Sequence, residues 1–189
     1  MVTCNVFELT LSVLGGDRPS VEYSLHTDLP AGTHFILSCE RTYEDKRGSL
    51  SVWGGYNEKP NLISSVQNGF SGYHGIIDVV ESDKKGLDLF RQINKCLTPS
   101  GIKSPISDIF TVELTVGGRQ RLREFGKYNA NLSGLMVFDS GGINVIRVSR
   151  DLLLPMSPEF QPVIGSPEWD DDEEFRSSTE RDDDEAFED

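Results

Sequence analysis

Residues 109–116 read Ile-Phe-Thr-Val-Glu-Leu-Thr-Val, with Phe110, Val112, Leu114 and Val116 alternating against Thr111, Glu113 and Thr115. A period of two puts the four apolar side chains on one face of a pleated strand and leaves the polar ones on the other. A lone strand cannot bury such a face, so other alternating segments must complete a second layer. Phe7, Leu9, Leu11 and Val13 form one, ended by Gly15-Gly16; Val21, Tyr23 and Leu25 form another; Phe35, Leu37 and Cys39 begin a third.

Between them, Asp28-Leu-Pro-Ala-Gly-Thr33 has the residues of a turn, because Pro30 presets φ and Gly32 tolerates a positive one. Arg41 to Gly48 reads as a charged hairpin loop, and Trp53-Gly-Gly-Tyr56 as a bulge between aromatics. Ile63 to Val66, closed by Asn68-Gly69, pairs with a strand returning through Tyr73, Ile77 and Val79. Ser82 or Asp83 caps a short helix with Leu87, Phe90, Ile93 and Leu97 on one face, covering an open end of the body and stopped by Thr98-Pro99-Ser100-Gly101. Gly117 to Asn131 is a basic, polar connection, and a last hairpin turns about Asp139-Ser-Gly-Gly142.

Short turns rather than long helices between strands favour antiparallel pairing. The expected fold is all-β, an immunoglobulin-like antiparallel β-sandwich of eight or nine strands with one short helix, with a closed β-barrel as the alternative. The expected organisation is a body over 1–151, a Pro-rich extended linker over 152–167 and an acidic disordered tail over 168–189. Thr27-Asp-Leu-Pro-Ala-Gly-Thr33, Asn68-Gly-Phe70 and Phe125-Gly126 with Asn129 to Gly134 together resemble the spacing in uncharacterised bacterial immunoglobulin-like β-sandwich domains, over about two thirds of the chain. The resemblance implies a fold and no activity. Many such domains are exported, and this chain departs from them in showing no secretion signal.

The formal charge is −13 over 189 residues, unevenly spread. Residues 166–189 hold 13 acidic side chains against Arg176 and Arg181, a net −11, so the remaining 165 residues carry only −2. The 10 Phe, 5 Tyr and 2 Trp supply bulk for one core. Cys4, Cys39 and Cys96, odd in number and widely spaced, indicate neither a disulfide framework nor a zinc site. No run approaches a transmembrane length, and Val6 to Leu14 lacks the basic flank of a signal peptide. A cytoplasmic protein with no membrane span follows as the expectation.

Catalytic motifs are weak. Asp139-Ser140-Gly141-Gly142 has letters of a serine-protease nucleophile segment, which would need a histidine base held by a carboxylate, and His26, His34 and His74 precede it. The same four residues suit a hairpin turn better. The three histidines show no metal-ligand spacing, so no cofactor and no enzyme activity are expected. Arg119, Arg121, Arg123 and Lys127 form the one basic cluster, with the three arginines sharing a face if they continue a strand, able to hold phosphate or carboxylate. The tail is the stronger hint: Trp169, Phe175 and Phe187 lie among Asp170, Asp171 and Asp172 and Asp182, Asp183 and Asp184. Charge steers such a segment to a basic protein partner and the aromatics anchor it. The favoured role is a non-enzymatic interaction or assembly module. The alternatives are a single-stranded nucleic-acid binder with an autoinhibitory acidic tail, stacking bases on Trp53, Tyr56, Tyr73 and Tyr128, or a nucleic-acid-mimicking inhibitor. Nucleic acid is disfavoured by a body without excess positive charge. A tail folded back on the arginines is a third reading, and the oligomeric state stays open.

Overall fold

The computed structural model describes residues 1–161 apart from 17, 46–47, 59–62, 65–69, 97–101, 103 and 118–119, and the backbone alone for 55–58, 63–64 and 93–96. The elements run β1 (Val2–Thr3), β2 (Phe7–Leu14), β3 (Ser20–Thr27), β4 (Ile36–Glu44), β5 (Leu50–Glu58), β6 (Ile63–Ser64) and β7 (Ser71–Asp78). Then come α1 (Val79–Cys96), β8 (Ile109–Val116), β9 (Leu132–Ser133), β10 (Phe138–Asp139) and β11 (Asn144–Leu153). One sheet is ordered β10-β11-β8-β4-β5 and another β2-β3-β7-β6, both antiparallel throughout, while β1 and β9 form a short parallel pair. The described residues are mostly β, with one α-helix among them.

β8 is the middle of the five-stranded sheet, paired with β11 from Ile109↔Leu153 to Val116↔Ile146 and with β4 from Glu40↔Thr111 to Ile36↔Thr115. Its even-numbered residues, Phe110 to Val116, are buried, and they share one cluster with Phe7, Leu9, Val21, Tyr23, Leu25 and Ile77 of the four-stranded sheet. The two sheets therefore share one apolar core, and each large core side chain removed from water contributes about 1.5–3 kcal/mol. Residues 28–33 do form a turn, and its Asp28 carboxylate accepts hydrogen bonds from the backbone N–H groups of Asn5 and Val6 at 3.0–3.2 Å. The Gly pair of β5 also makes the expected irregularity: Cys39 pairs with Tyr56 and Glu40 with Gly54, which leaves Gly55 as the extra residue.

Several boundaries differ from the sequence reading. The charged loop after Cys39 is shorter, because β4 continues through Arg41 to Glu44 and the tip closes with Gly48 N–H donating to the Asp45 carbonyl at 2.9 Å. The helix is 18 residues long and begins at Val79, where the sequence reading has a strand. Its cap is Asp78, which accepts from the Glu81 N–H at 3.0 Å, while Ser82 and Asp83 are buried one turn later. An aspartate followed three residues on by glutamate is a helix-start signal strong enough to override two β-branched valines. Ile93, Leu97 and the Thr98 to Gly101 stop lie outside the described side chains or residues, as does the Asn68-Gly69 turn.

The segment expected as a linker from 152 onward packs on the body through Gln161. Leu154 and Met156 are buried, and the Gln161 side chain exchanges two hydrogen bonds with the Ile106 backbone, at 3.0 and 3.1 Å. Met156 joins Leu87, Phe90, Trp53, Ile102 and Ile106 in a second cluster that seats α1 against β5. Trp53 and Phe90 lie 5.3 Å apart between centroids, with Tyr43 edge-on to both. Gly86 makes this approach possible, since a Cβ there would fall on the Trp53 indole. Gly86→Ala is expected to destabilise by about 1–2 kcal/mol in chemical unfolding, overpacking outweighing the better helix propensity. Gly15→Ala, which meets nothing within 4 Å, should change stability by less than about 0.5 kcal/mol.

Candidate interaction surfaces

The largest fully buried side chain among the described residues is a charged one, Arg41, 1% exposed on the inner side of β4. Its Nε and Nη2 donate to the two oxygens of Asp83 on α1 at 2.8 and 3.0 Å. Nη1 donates to the carbonyls of Leu154, at 2.6 Å, and Ser107, at 3.1 Å. The guanidinium also lies 5.1 Å from the Phe110 ring centroid. Four of its five N–H groups are thus satisfied, and one cation ties a strand, the helix and the segment after β11. Burial holds the Asp83 carboxyl above its ordinary 3.8, with the Arg41 hydrogen bond and charge pulling it back. A cavity of about 460 Å³ opens beside this pair, between Arg18, Val79, Pro155 and Glu159. Because Asp83 uses both oxygens on Arg41, the pair is a fastener of the fold and leaves the cavity no free buried charge.

The basic segment is not an extended strand. β8 ends at Val116, and Arg123–Phe125 and Lys127–Asn129 are 3-10 turns. Phe125 is fully buried and Leu122 packs on the core, so the chain must curl to turn both inward, and Arg121, Arg123 and Lys127 are left exposed. The Gln120 side chain fixes the start by accepting from the His34 N–H and donating to the His34 carbonyl, both at 2.9 Å. Asn129 fixes the end, fully buried and donating to the Asn144 carbonyl at 2.9 Å. At that end Tyr128 and Asn129 hold φ of +56° and +61°, a left-handed conformation that Asn tolerates and that costs of order 1–3 kcal/mol for a residue such as Tyr128. Tyr128 is 43% exposed with the Lys127 ammonium 5.1 Å from its ring centroid. Among the described residues no carboxylate pairs with Arg121, Arg123 or Lys127. Arg119 lies outside the described residues.

The outer face of the five-stranded sheet has the opposite sign. Glu40, Glu113 and Asp151 project from β4, β8 and β11, and Arg147 pairs with Glu113 at 3.3 Å. Thr111 and Thr115 donate to Asp151 and Glu113 at 2.8 and 3.0 Å. At one end of this face Leu153, Ile109, Val52 and Leu50 are exposed.

Other expected groups fall elsewhere. Trp53 is buried and Tyr73 packs on Tyr23 and Phe35, so of the proposed base-stacking rings only Tyr128 is presented among the described side chains; Tyr56 lies outside them. His26 stacks on Phe70, His74 is 3.4 Å from Glu22, and the His34 backbone is held by Gln120. Among the described residues no three His, Cys, Asp or Glu converge as metal ligands. Asp139 to Gly142 is a hairpin tip, the Asp139 side chain accepting from the Gly142 N–H at 3.2 Å. Burial pushes the Cys4 thiol up to about 12. The tail residues Trp169, Asp170, Asp171, Asp172, Phe175, Asp182, Asp183, Asp184 and Phe187 lie outside the described residues. No described helix is long and apolar enough to cross a membrane. No protein-family model matches the chain, nor does any curated sequence or solved structure.

Burial, and next the neighbouring Glu113, raise the Glu40 carboxyl above its ordinary 4.5, with Arg147 opposing. A raised carboxyl favours folding below the unfolded value and loses that contribution as pH rises through the folded one. Glu40→Gln should therefore leave stability unchanged well below pH 4.5 and raise the unfolding midpoint at pH 7, measured by denaturant titration at both.

Proposed function

We propose that the protein is a non-enzymatic interaction or assembly module whose acidic, aromatic-bearing C-terminal segment engages a basic protein partner. The observation that carries this reading is the segregation of charge: −11 of the total −13 lies in residues 166–189. Long-range attraction raises the encounter rate with a basic surface, and Trp169, Phe175 and Phe187 supply the apolar contacts that hold it. The body serves as its carrier, read here as an immunoglobulin-like sandwich on the support of seven long antiparallel strands in two sheets that share one core. Three cysteines, odd in number and widely spaced in the sequence, support a cytoplasmic setting.

A single-stranded nucleic-acid binder is the second reading, favoured by Arg121, Arg123, Lys127 and the exposed Tyr128. It has less support, because such proteins line a groove with several stacking rings and a strongly positive surface.

Deletion of 166–189 should leave the thermal unfolding of the body intact and abolish salt-sensitive binding of a poly-lysine probe, read by fluorescence anisotropy. Undiminished binding by the truncated chain contradicts the proposal. Oligonucleotide binding at low salt that appears only after truncation would favour the second reading.

A further inference from the structure

We infer that the basic loop 121–128 is the resting dock of the chain's own acidic segment 166–189, so that a basic partner must compete with it. The inference rests on the reading of the tail as the partner-binding element and adds its regulation.

The loop is the part of the described surface built to receive such an occupant. Arg121, Arg123 and Lys127 are exposed and take no carboxylate from the described body. Tyr128 stands beside them with its ring open to an aromatic partner. The arrangement is fixed in advance, with Phe125 buried and Gln120 and Asn129 bonded to the backbone at the two ends. Cations and a ring held in place lose little freedom when a partner arrives. The left-handed φ of Tyr128 shows that the anchors impose this shape against local preference.

Charge favours the same place over the outer sheet face. That face presents Glu40, Glu113 and Asp151 against Arg147 and repels a segment of net −11; the loop, with Arg121, Arg123 and Lys127 against Glu124, attracts it. Reach is not limiting, because the 28 residues after Gln161 span up to about 90 Å and a body of this size has a radius of gyration of about 15 Å. Tethering supplies an effective concentration of order millimolar, so contacts too weak to hold a free peptide suffice within one chain. Each contact is a screened surface pair, and docking weakens with salt.

The test is zero-length carbodiimide cross-linking of the dilute full-length chain, mapped by mass spectrometry in an equal mixture of isotopically light and heavy protein. The expected result is an amide between Lys127 and a carboxylate of residues 168–189 within one isotopic species. Its yield should fall about fivefold in Arg121→Glu/Arg123→Glu or on raising salt from about 0.02 to about 1 M. The side chains exchanged are exposed, and circular dichroism checks that the fold is kept. Absence of the cross-link, cross-links only between light and heavy chains, or a yield indifferent to the charge reversal would each overturn the inference. Poly-lysine binding lost on truncation, together with no Lys127 cross-link, would leave the proposed function standing and remove only the docking. The cross-link without poly-lysine binding would do the reverse.

Discussion

The buried Arg41 guanidinium is the constraint around which the rest of the body is arranged. An unpaired cation in that position would cost many kcal/mol, so every neighbouring element must bring it a partner. The helix brings Asp83, the segment after β11 brings the Leu154 carbonyl, the approach to β8 brings Ser107, and Phe110 presents its ring. Taking both charges out of water offsets much of their attraction, and what the pair fixes is the arrangement of the elements that it joins. Apolar packing in the second cluster then holds the helix where the ion pair has placed it. Among the described residues the result is one body that includes 152–161.

With the interior fastened in this way, the distribution of surface charge follows from which side chains the pleat and the turns leave outside. The odd-numbered residues of β8 put Glu113 on the outer sheet face beside Glu40 and Asp151, where Arg147 offsets part of the repulsion. The inward pull of Phe125 and Asn129 leaves the cations of the preceding connection on a curled, rigid loop. Both signs are thus present on a body that is nearly neutral in sum, and a highly negative segment meets one repelling and one attracting surface. The docking inferred for that segment makes the interaction surface and its regulation two uses of the same charges.

Where a residue's fate depends on its immediate neighbours, the sequence was a sufficient guide. The alternation over 109–116, the turn at 28–33, the bulge at Gly54-Gly55 and the hairpin at 139–142 all express local rules of pleat and backbone freedom. Arg41 was misplaced because Arg-Thr-Tyr-Glu-Asp-Lys-Arg looks like a solvated loop, and its partner lies 42 residues away on another element. The period of two through Phe35, Leu37 and Cys39 does continue to Arg41 and was the available clue. The Asp78 cap with Glu81 was equally legible, whereas Val79 and Val80 suggested a strand. The prolines after 154 hid a packed segment, since Met156 and Gln161 owe their places to Ile106 and α1. The basic loop was legible in composition only; its curl is dictated by burial of Phe125.

The account stands on the body to Gln161 being one cooperative unit pinned by Arg41. Native-state hydrogen exchange on Arg41→Ala measures this most directly, residue by residue. The account predicts that amides of α1 and of residues 152–161 lose protection together and by the same free energy, while β2 and β3 retain more. Loss confined to β4, with α1 and 152–161 as protected as before, would contradict it.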